Sequence, residues 1–189
     1  MQTIHRRPRA AGFTVSELMV TLCIGAILVG LGLPSFRSIM ADNRMVLTGN
    51  SVRSAAQIAR STAISRNRQI TFCAGQLDSG CHGDWSRGEW LVFDDRDRDS
   101  TVDAGENVHL AVRQPASSEV NLSGNGPFNS RVIFTPAGMA VTSSGAFAAG
   151  RIRVCVDRGN TGNALDLVLI GSGRIESEQK TLTSGCVPP

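Results

Sequence analysis

The sequence predicts an α+β protein: a long N-terminal α-helix packed on a small antiparallel β-sheet domain. Three observations predict it. A membrane-length apolar stretch, residues 13–33, passes into a helix-period pattern that reaches about Arg66. From Gln69 onward the chain changes to short β-rich runs separated by Gly, Pro, Ser and Asn. Four of the five cysteines, Cys73, Cys81, Cys155 and Cys186, fall in that second part, where an exported domain can oxidise them.

The first element is the apolar run. Its 21 residues (13 to 33) span roughly 31 Å as a helix, close to the hydrocarbon thickness of a bilayer. Arg6, Arg7 and Arg9 precede it and no acid does. The positive-inside bias therefore places the N-terminus in the cytoplasm and the body, after Pro34, outside. Glu17 is the only charge in the run, and a carboxylate there is expensive unless it finds a partner. A secretory signal peptide has the same basic-then-apolar layout but needs small residues at a cleavage site after the run. Leu33-Pro34-Ser35-Phe36-Arg37 supplies no A-x-A pattern, whereas Ala10, Ala11 and Gly12 stand before it.

Pro34 either ends the helix at the membrane surface or kinks a helix that continues. The residues beyond it favour continuation. Ile39, Val46, Val52, Ala55, Ala56, Ala59 and Ala63 recur mostly at steps of three and four, and Gly49 is a weak point rather than a stop. The polar face carries Arg37, Arg44, Arg53, Arg60, Arg66 and Arg68 against Asp42 alone. Such a stem invites a nucleic-acid reading, but the arginines alternate with small residues and lack interleaved aromatics, which favours a solvated or partner-packed face. The net charge of +3 falls to near zero once the three leader arginines are subtracted.

Gly12-Phe13-Thr14-Val15-Ser16-Glu17-Leu18-Met19, behind its basic leader, resembles the class III signal of type IV pilins and pseudopilins. That resemblance implies a leader, residues 1–12, cut by prepilin peptidase between Gly12 and Phe13, with N-methylation of Phe13. It implies that Glu17 pairs with the N-terminal amine of a neighbouring subunit during assembly, and that Pro34 is the helix-kinking proline of the family. The implied partners are prepilin peptidase, other major and minor pilins or pseudopilins, and the bacterial inner membrane, crossed once with the C-terminal domain in the periplasm. Elementary electrostatics agrees, since a free ammonium and a carboxylate on adjacent apolar helices neutralise each other and so set an axial register.

The expected organisation is thus a leader over 1–12, a pilin helix over 13–67 with 13–33 in the membrane, and a β-rich domain over 68–189. Gln69–Cys73, Glu89–Phe93, Val108–Val112, Arg131–Thr135, Arg151–Val156 and Leu165–Ile170 read as strands. Pro136-Ala137-Gly138 and Arg158-Gly159-Asn160 read as turns. Ser117 to Ser130, rich in Ser, Asn and Gly, reads as a surface loop.

Cys23 lies in the apolar run and packs as a small apolar residue. The four domain cysteines allow three pairings, of which sequence proximity favours Cys73 with Cys81 and Cys155 with Cys186. A zinc site on Cys73, Cys81 and His82 lacks the short C-x-x-C spacing. Trp85-Ser86-Arg87-Gly88-Glu89-Trp90-Leu91-Val92-Phe93-Asp94-Asp95, with further acidic positions behind it, resembles the GspH/FimT-like branch of minor pilins and pseudopilins. The two tryptophans read as core packing beneath the hairpin.

Asp95, Asp97, Asp99, Thr101, Asp103 and Glu106 match the oxygen-ligand spacing of a calcium loop. Ser100 stands where that loop needs glycine, the flanks are strand-like, and Arg96 and Arg98 offset the charge. An exposed acidic hairpin therefore competes with the cation site, and no other cofactor is expected. FimT-like minor pilins that take up DNA resemble one another in a Gly-Arg-x-Arg tail. Here Gly173-Arg174-Ile175-Glu176 places a carboxylate at the second arginine, and Gly150-Arg151-Ile152-Arg153 spells the motif earlier in the chain. Arg151, Arg153 and Arg174 are the candidate DNA contacts. His82 and His109 have no nucleophile and orienting acid at a recognisable spacing, so the sequence predicts an assembly protein and not an enzyme.

Overall fold

In the computed structural model the described residues are 12–114, 120–157 and 162–189, the side chains at 31–35 and 37 excepted. One helix, α1, runs over Val15–Arg66. Thr14 opens it: its hydroxyl accepts the Glu17 backbone N–H at 3.3 Å, satisfying a donor that has no partner inside the helix. Asn67 closes it with φ +51°. The Arg68 N–H bonds Ala63 O at 3.1 Å and the Asn67 N–H bonds Ile64 O at 3.4 Å, the paired bonds of a Schellman cap.

The chain divides within this helix into two compact units, Met1–Met40 and Ala41–Pro189. In the first unit the helix carries its large apolar side chains outward: Met19, Leu22, Ile27 and Leu28 are all more than half exposed. In the second, Ala41, Met45, Val52, Ala55, Ala56, Ala59 and Ala63 form a buried face at helical spacing. Ile39 and Val46, expected on the amphipathic face, are exposed. Gly49 is a packing residue, since a Cβ there would collide with Leu165 Cδ2. A larger residue there would require the Leu165 side chain to move.

The second unit holds two antiparallel sheets. The first contains β1 (Ile70–Gln76), β2 (Gly80–Cys81), β3 (Glu89–Phe93), β4 (Val108–Arg113), β6 (Val132–Phe134) and β7 (Ala140–Val141), in the order β4-β3-β1-β6-β7 with β2 paired to β1. The second contains β5 (Val120–Gly124), β8 (Gly150–Asp157), β9 (Gly162–Leu169) and β10 (Ile175–Leu182), in the order β10-β9-β8-β5. All six strands read from the sequence are present, shifted by zero to three residues at their ends.

The segment read as a surface loop needs correction. Within it, Val120–Gly124 forms β5, paired along β8, and Gly126–Asn129 forms a 3-10 turn; residues 115–119 lie outside the described residues. β5 buries only Leu122, so its place in the sheet comes from backbone pairing, which leaves no apolar pattern to read. β10 went unread for a related reason. It is an edge strand, Ile-Glu-Ser-Glu-Gln-Lys-Thr-Leu, with its polar side chains exposed. The Arg158-Gly159-Asn160 turn lies outside the described residues.

The core gathers between helix and sheets. Phe72, Trp85, Trp90 and Phe128 are buried together, with the Phe72 and Trp85 rings edge to face at 5.5 Å. The Trp85 indole donates to Phe128 O at 2.8 Å, so this tryptophan buries its ring without leaving its N–H unpaired. Disulfides join Cys73 to Cys81 and Cys155 to Cys186. The first closes the β1–β2 hairpin and the second ties the C-terminal segment to β8. Cys23 is a free, exposed thiol.

Candidate functional site

Three groups of residues carry the functional expectations. The first is the N-terminal segment. Gly12 and Phe13 precede the helix and are exposed. Glu17 sits in the first turn, where the helix dipole favours a negative charge. The backbone is helical through position 34, while the Pro34 and Arg37 side chains lie outside the described residues. Among the described residues no helix is long and apolar enough to cross a membrane. The stretch of α1 with described side chains before position 31 is residues 15–30, and residues 31–33, which complete the apolar run, are among the excepted side chains.

The acidic loop between β3 and β4 is the second group. It folds onto the β1–β2 hairpin, because the Cys81 N–H bonds Ser100 O at 2.8 Å. Val102 and Cys81 both pack against the small buried cluster of Cys73, Leu91 and Phe93. Arg131 pins the loop from below by donating to Arg98 O at 2.7 Å. Asp95, Asp97 and Asp99 bring carboxylate oxygens within 4.8 Å of one another. Asp95 is buried, accepting from the Thr71 hydroxyl at 3.3 Å.

Asp103 and Glu106, expected to complete a calcium site, are not part of that cluster. Glu106 instead accepts the backbone N–H groups of Arg96, at 2.6 Å, and Asp103, at 3.2 Å, so it staples the loop closed. The charges left outside crowd one another. Asp99 and then Asp97 and Glu106 push the Asp103 carboxyl above its usual value, together with some desolvation, whereas the Thr101 hydroxyl and N–H hold Asp99 below.

Beside the loop, Arg68, Gln69, Asp94, Asp95, Arg96 and Arg98 line a cleft of about 340 Å³. Asp94 is buried there, 2.8 Å from His109 Nε2 and 3.3 Å from the Asn107 amide. Burial pushes its carboxyl up, but the His109 and Asn107 hydrogen bonds and the charges of His109 and Arg68 outweigh that and hold it low. His82 accepts the Asp84 N–H on Nδ1 at 3.0 Å. Its Nε2 stands 3.8 Å from the Glu89 carboxylate. His109 thus braces the β3–β4 hairpin, while the His82 Nε2 is buried without a hydrogen-bond partner among the described residues.

The third group bears on the DNA reading of β8. Arg153 is buried and makes a two-pronged contact to Asp166, Nε to Oδ1 at 2.7 Å and Nη2 to Oδ2 at 2.8 Å. Arg151 reaches the same carboxylate at 3.0 Å and Lys180 at 3.4 Å. These cations neutralise a fully buried acid, and Arg153 also donates to Val187 O at 3.0 Å beneath the C-terminal segment. A buried arginine bonded to carboxylate presents no guanidinium to phosphate. Burial raises the Asp166 carboxyl, and the Arg153 hydrogen bonds and charge, with Lys180 and Arg151, more than reverse it. Arg153 is raised in turn, first by its bond to Asp166. Arg174 is exposed, 3.2 Å from Glu176.

Sequence reasoning missed Asp166 as the centre of this network. The signal was present: an acid inside the apolar run Leu165–Ile170 needs buried cationic partners, and alternate positions across the neighbouring strand supply them.

The sequence model of the GspH family, described as type II transport protein GspH, matches residues 48–173. A search of the curated proteins finds no match. Two crystal forms of the type IV minor pilin FimU from Pseudomonas aeruginosa PAO1 are similar in structure, each at 19% identity. One covers 72% of this chain and 96% of its own at a TM-score of 0.46, the other 76% and 96% at 0.49. The matched span begins in the half of α1 that packs on the sheets and ends in the β9–β10 turn, so the chain belongs to the GspH family.

Proposed function

We propose that this chain is a minor subunit of a type IV pilus, taking part in its assembly or priming, with a role in building a filament rather than in catalysis. The observation that carries the reading is the exposed apolar surface of α1 before Met40. So large an apolar surface on one helix calls for lipid before assembly and for neighbouring helices after it. In this reading prepilin peptidase cuts between Gly12 and Phe13 and methylates Phe13 at the inner membrane. Residues 13–33 cross the membrane once with the domain in the periplasm. Glu17 then pairs with a neighbour's Phe13 amine and fixes the axial register, with Pro34 shaping the helix between its two halves.

A second reading, a minor pseudopilin of a type II secretion system, is favoured by the description of the matched family. Deleting the gene and scoring piliation, secretion and DNA uptake side by side separates the readings. The pilus reading predicts loss of pili with secretion intact. Loss of secretion with normal pili transfers the chain to the pseudopilus, and normal pili with lost DNA uptake transfers it to DNA binding, for which Arg174 is the exposed candidate. The mass of the mature chain tests processing: it must begin at Phe13 and carry one added methyl.

A further inference from the structure

The cleft of about 340 Å³ beside the acidic loop carries three guanidinium groups, from Arg68, Arg96 and Arg98. Arg68 Nη1 stands 3.7 Å and Arg96 Nη2 4.0 Å from one atom, Asp94 Oδ2. Both separations exceed a hydrogen bond, and among the described residues neither guanidinium makes one. The two side chains are 56% and 55% exposed, so their donors are open to a ligand. Arg98 is fixed beside them. Its Nη2 donates to Gln69 Oε1 at 2.9 Å and its carbonyl accepts from Arg131, while its φ of +65° is a left-handed value that arginine rarely adopts.

The two carboxylates of the lining are already engaged by the protein. Asp94, 2% exposed, meets His109 on Oδ1 and accepts the Asn107 amide on Oδ2. Asp95, also buried, accepts the Thr71 hydroxyl on Oδ2 and the Ser100 N–H on Oδ1, and Arg131 lies 4.0 Å from it. With Arg131 counted, four guanidinium groups stand against two carboxylates, an excess of two positive charges. Asp97 and Asp99 belong to the same loop but do not line the cleft. They are exposed, and the high dielectric of the solvent cuts the field with which they oppose that excess.

We infer that this cleft binds a phosphate monoester, with Arg68, Arg96 and Arg98 donating to its oxygens. Each guanidinium is a planar fork of donors that matches phosphate oxygens. A single carboxylate brings two oxygens and one charge, so it leaves part of the cleft unanswered. A phosphate monoester brings three terminal oxygens and close to two negative charges at neutral pH. The site has the opposite sign from a calcium loop, although both draw on the same segment. It involves only residues of the second unit and does not rest on the pilus reading.

Calorimetric titration of the full chain in uncharged detergent micelles with inorganic phosphate, at about pH 7.5 and constant ionic strength, tests the site. A saturable heat with a Kd of about 1 mM or tighter is expected, within reach of so small a ligand. Arg68→Gln and Arg96→Gln should each weaken binding about tenfold, as for a lost charge-assisted pair. Melting curves read beside the titration show that these variants are folded. Asp97→Asn should tighten phosphate about threefold, because it removes an opposing charge. A short oligonucleotide without terminal phosphates should not compete. Absence of saturable heat up to about 20 mM phosphate overturns the inference. So does binding unchanged in the Arg68→Gln, Arg96→Gln double variant, which puts the anion elsewhere, or weakened by Asp97→Asn, which makes the loop a cation site. Displacement of phosphate by the oligonucleotide overturns it as well, since the cleft is then a nucleic-acid contact.

Discussion

The two halves of α1 are one continuous helix with opposite surfaces. Before Met40 its described leucines, isoleucines and a phenylalanine are exposed. After Ala41 it turns inward alanines, with Gly49 where even a methyl group would strike β9. Large residues suit a helix that finds its partners beyond the chain, and small ones a helix held close to its own sheets. In the proposed reading, stability is made in one half and assembly in the other. Substitutions in the second unit should move the melting temperature, and those in the first should leave it alone while changing what the protein joins.

The largest effect is expected at Asp166. Asp166→Ala leaves Arg153 buried without its carboxylate and should destabilise by about 3 to 5 kcal/mol, measured by denaturant unfolding. Replacing Cys155 and Cys186 with alanine releases the C-terminal segment from β8 and should remove about 2 to 4 kcal/mol. Gly49→Val pushes the helix off Leu165 and should remove about 1 to 3 kcal/mol, with the helix content unchanged by circular dichroism. Leu22→Ala in the first half is the contrasting control. An unfolding midpoint shifted as far as that of Gly49→Val would erase the distinction between the halves.

Acid sharpens the same contrast. Asp166 and Asp94 both have carboxyls held low in the folded protein. The stability they supply is therefore present above the unfolded value of about 4 and is lost as pH falls through the lower folded values. Unfolding free energy should drop steeply below about pH 4, and Asp166→Asn should flatten the drop. The smallest effect is expected from calcium. Because Glu106 is spent on backbone N–H groups and Asp103 stands outside the cluster, millimolar calcium should shift the melting temperature by less than about 1 °C. A rise of several degrees, abolished by chelator, would reinstate the cation site.

Much of this fold was legible because its strongest patterns are local. The helix announced itself by apolar spacing, and Glu89–Phe93 by an apolar run between Gly88 and Asp94. The nearest cysteines are also the ones that pair. What could not be read depends on the other sheet. β5 and β10 are strands because β8 and β9 offer them backbone partners, and their own side chains carry no period. Arg151 and Arg153 looked like phosphate ligands in a linear motif. The pairing of Arg153 opposite Asp166 shows that Arg153 is committed to a buried carboxylate, which Arg151 also contacts. The leader and the role of Glu17 are read from a linear motif alone, and they stand as proposals.

The central claim is that the first half of α1 is an assembly surface whose register Glu17 sets. Recovery of a Glu17→Ala chain in sheared filaments, quantified against the membrane fraction beside wild type, tests it most directly. The expected result is a chain still cut after Gly12, still retained in membranes and still folded, but depleted from filaments at least about tenfold, as when a buried ion pair loses one partner. Glu17→Ala recovered in filaments at the wild-type level would contradict it.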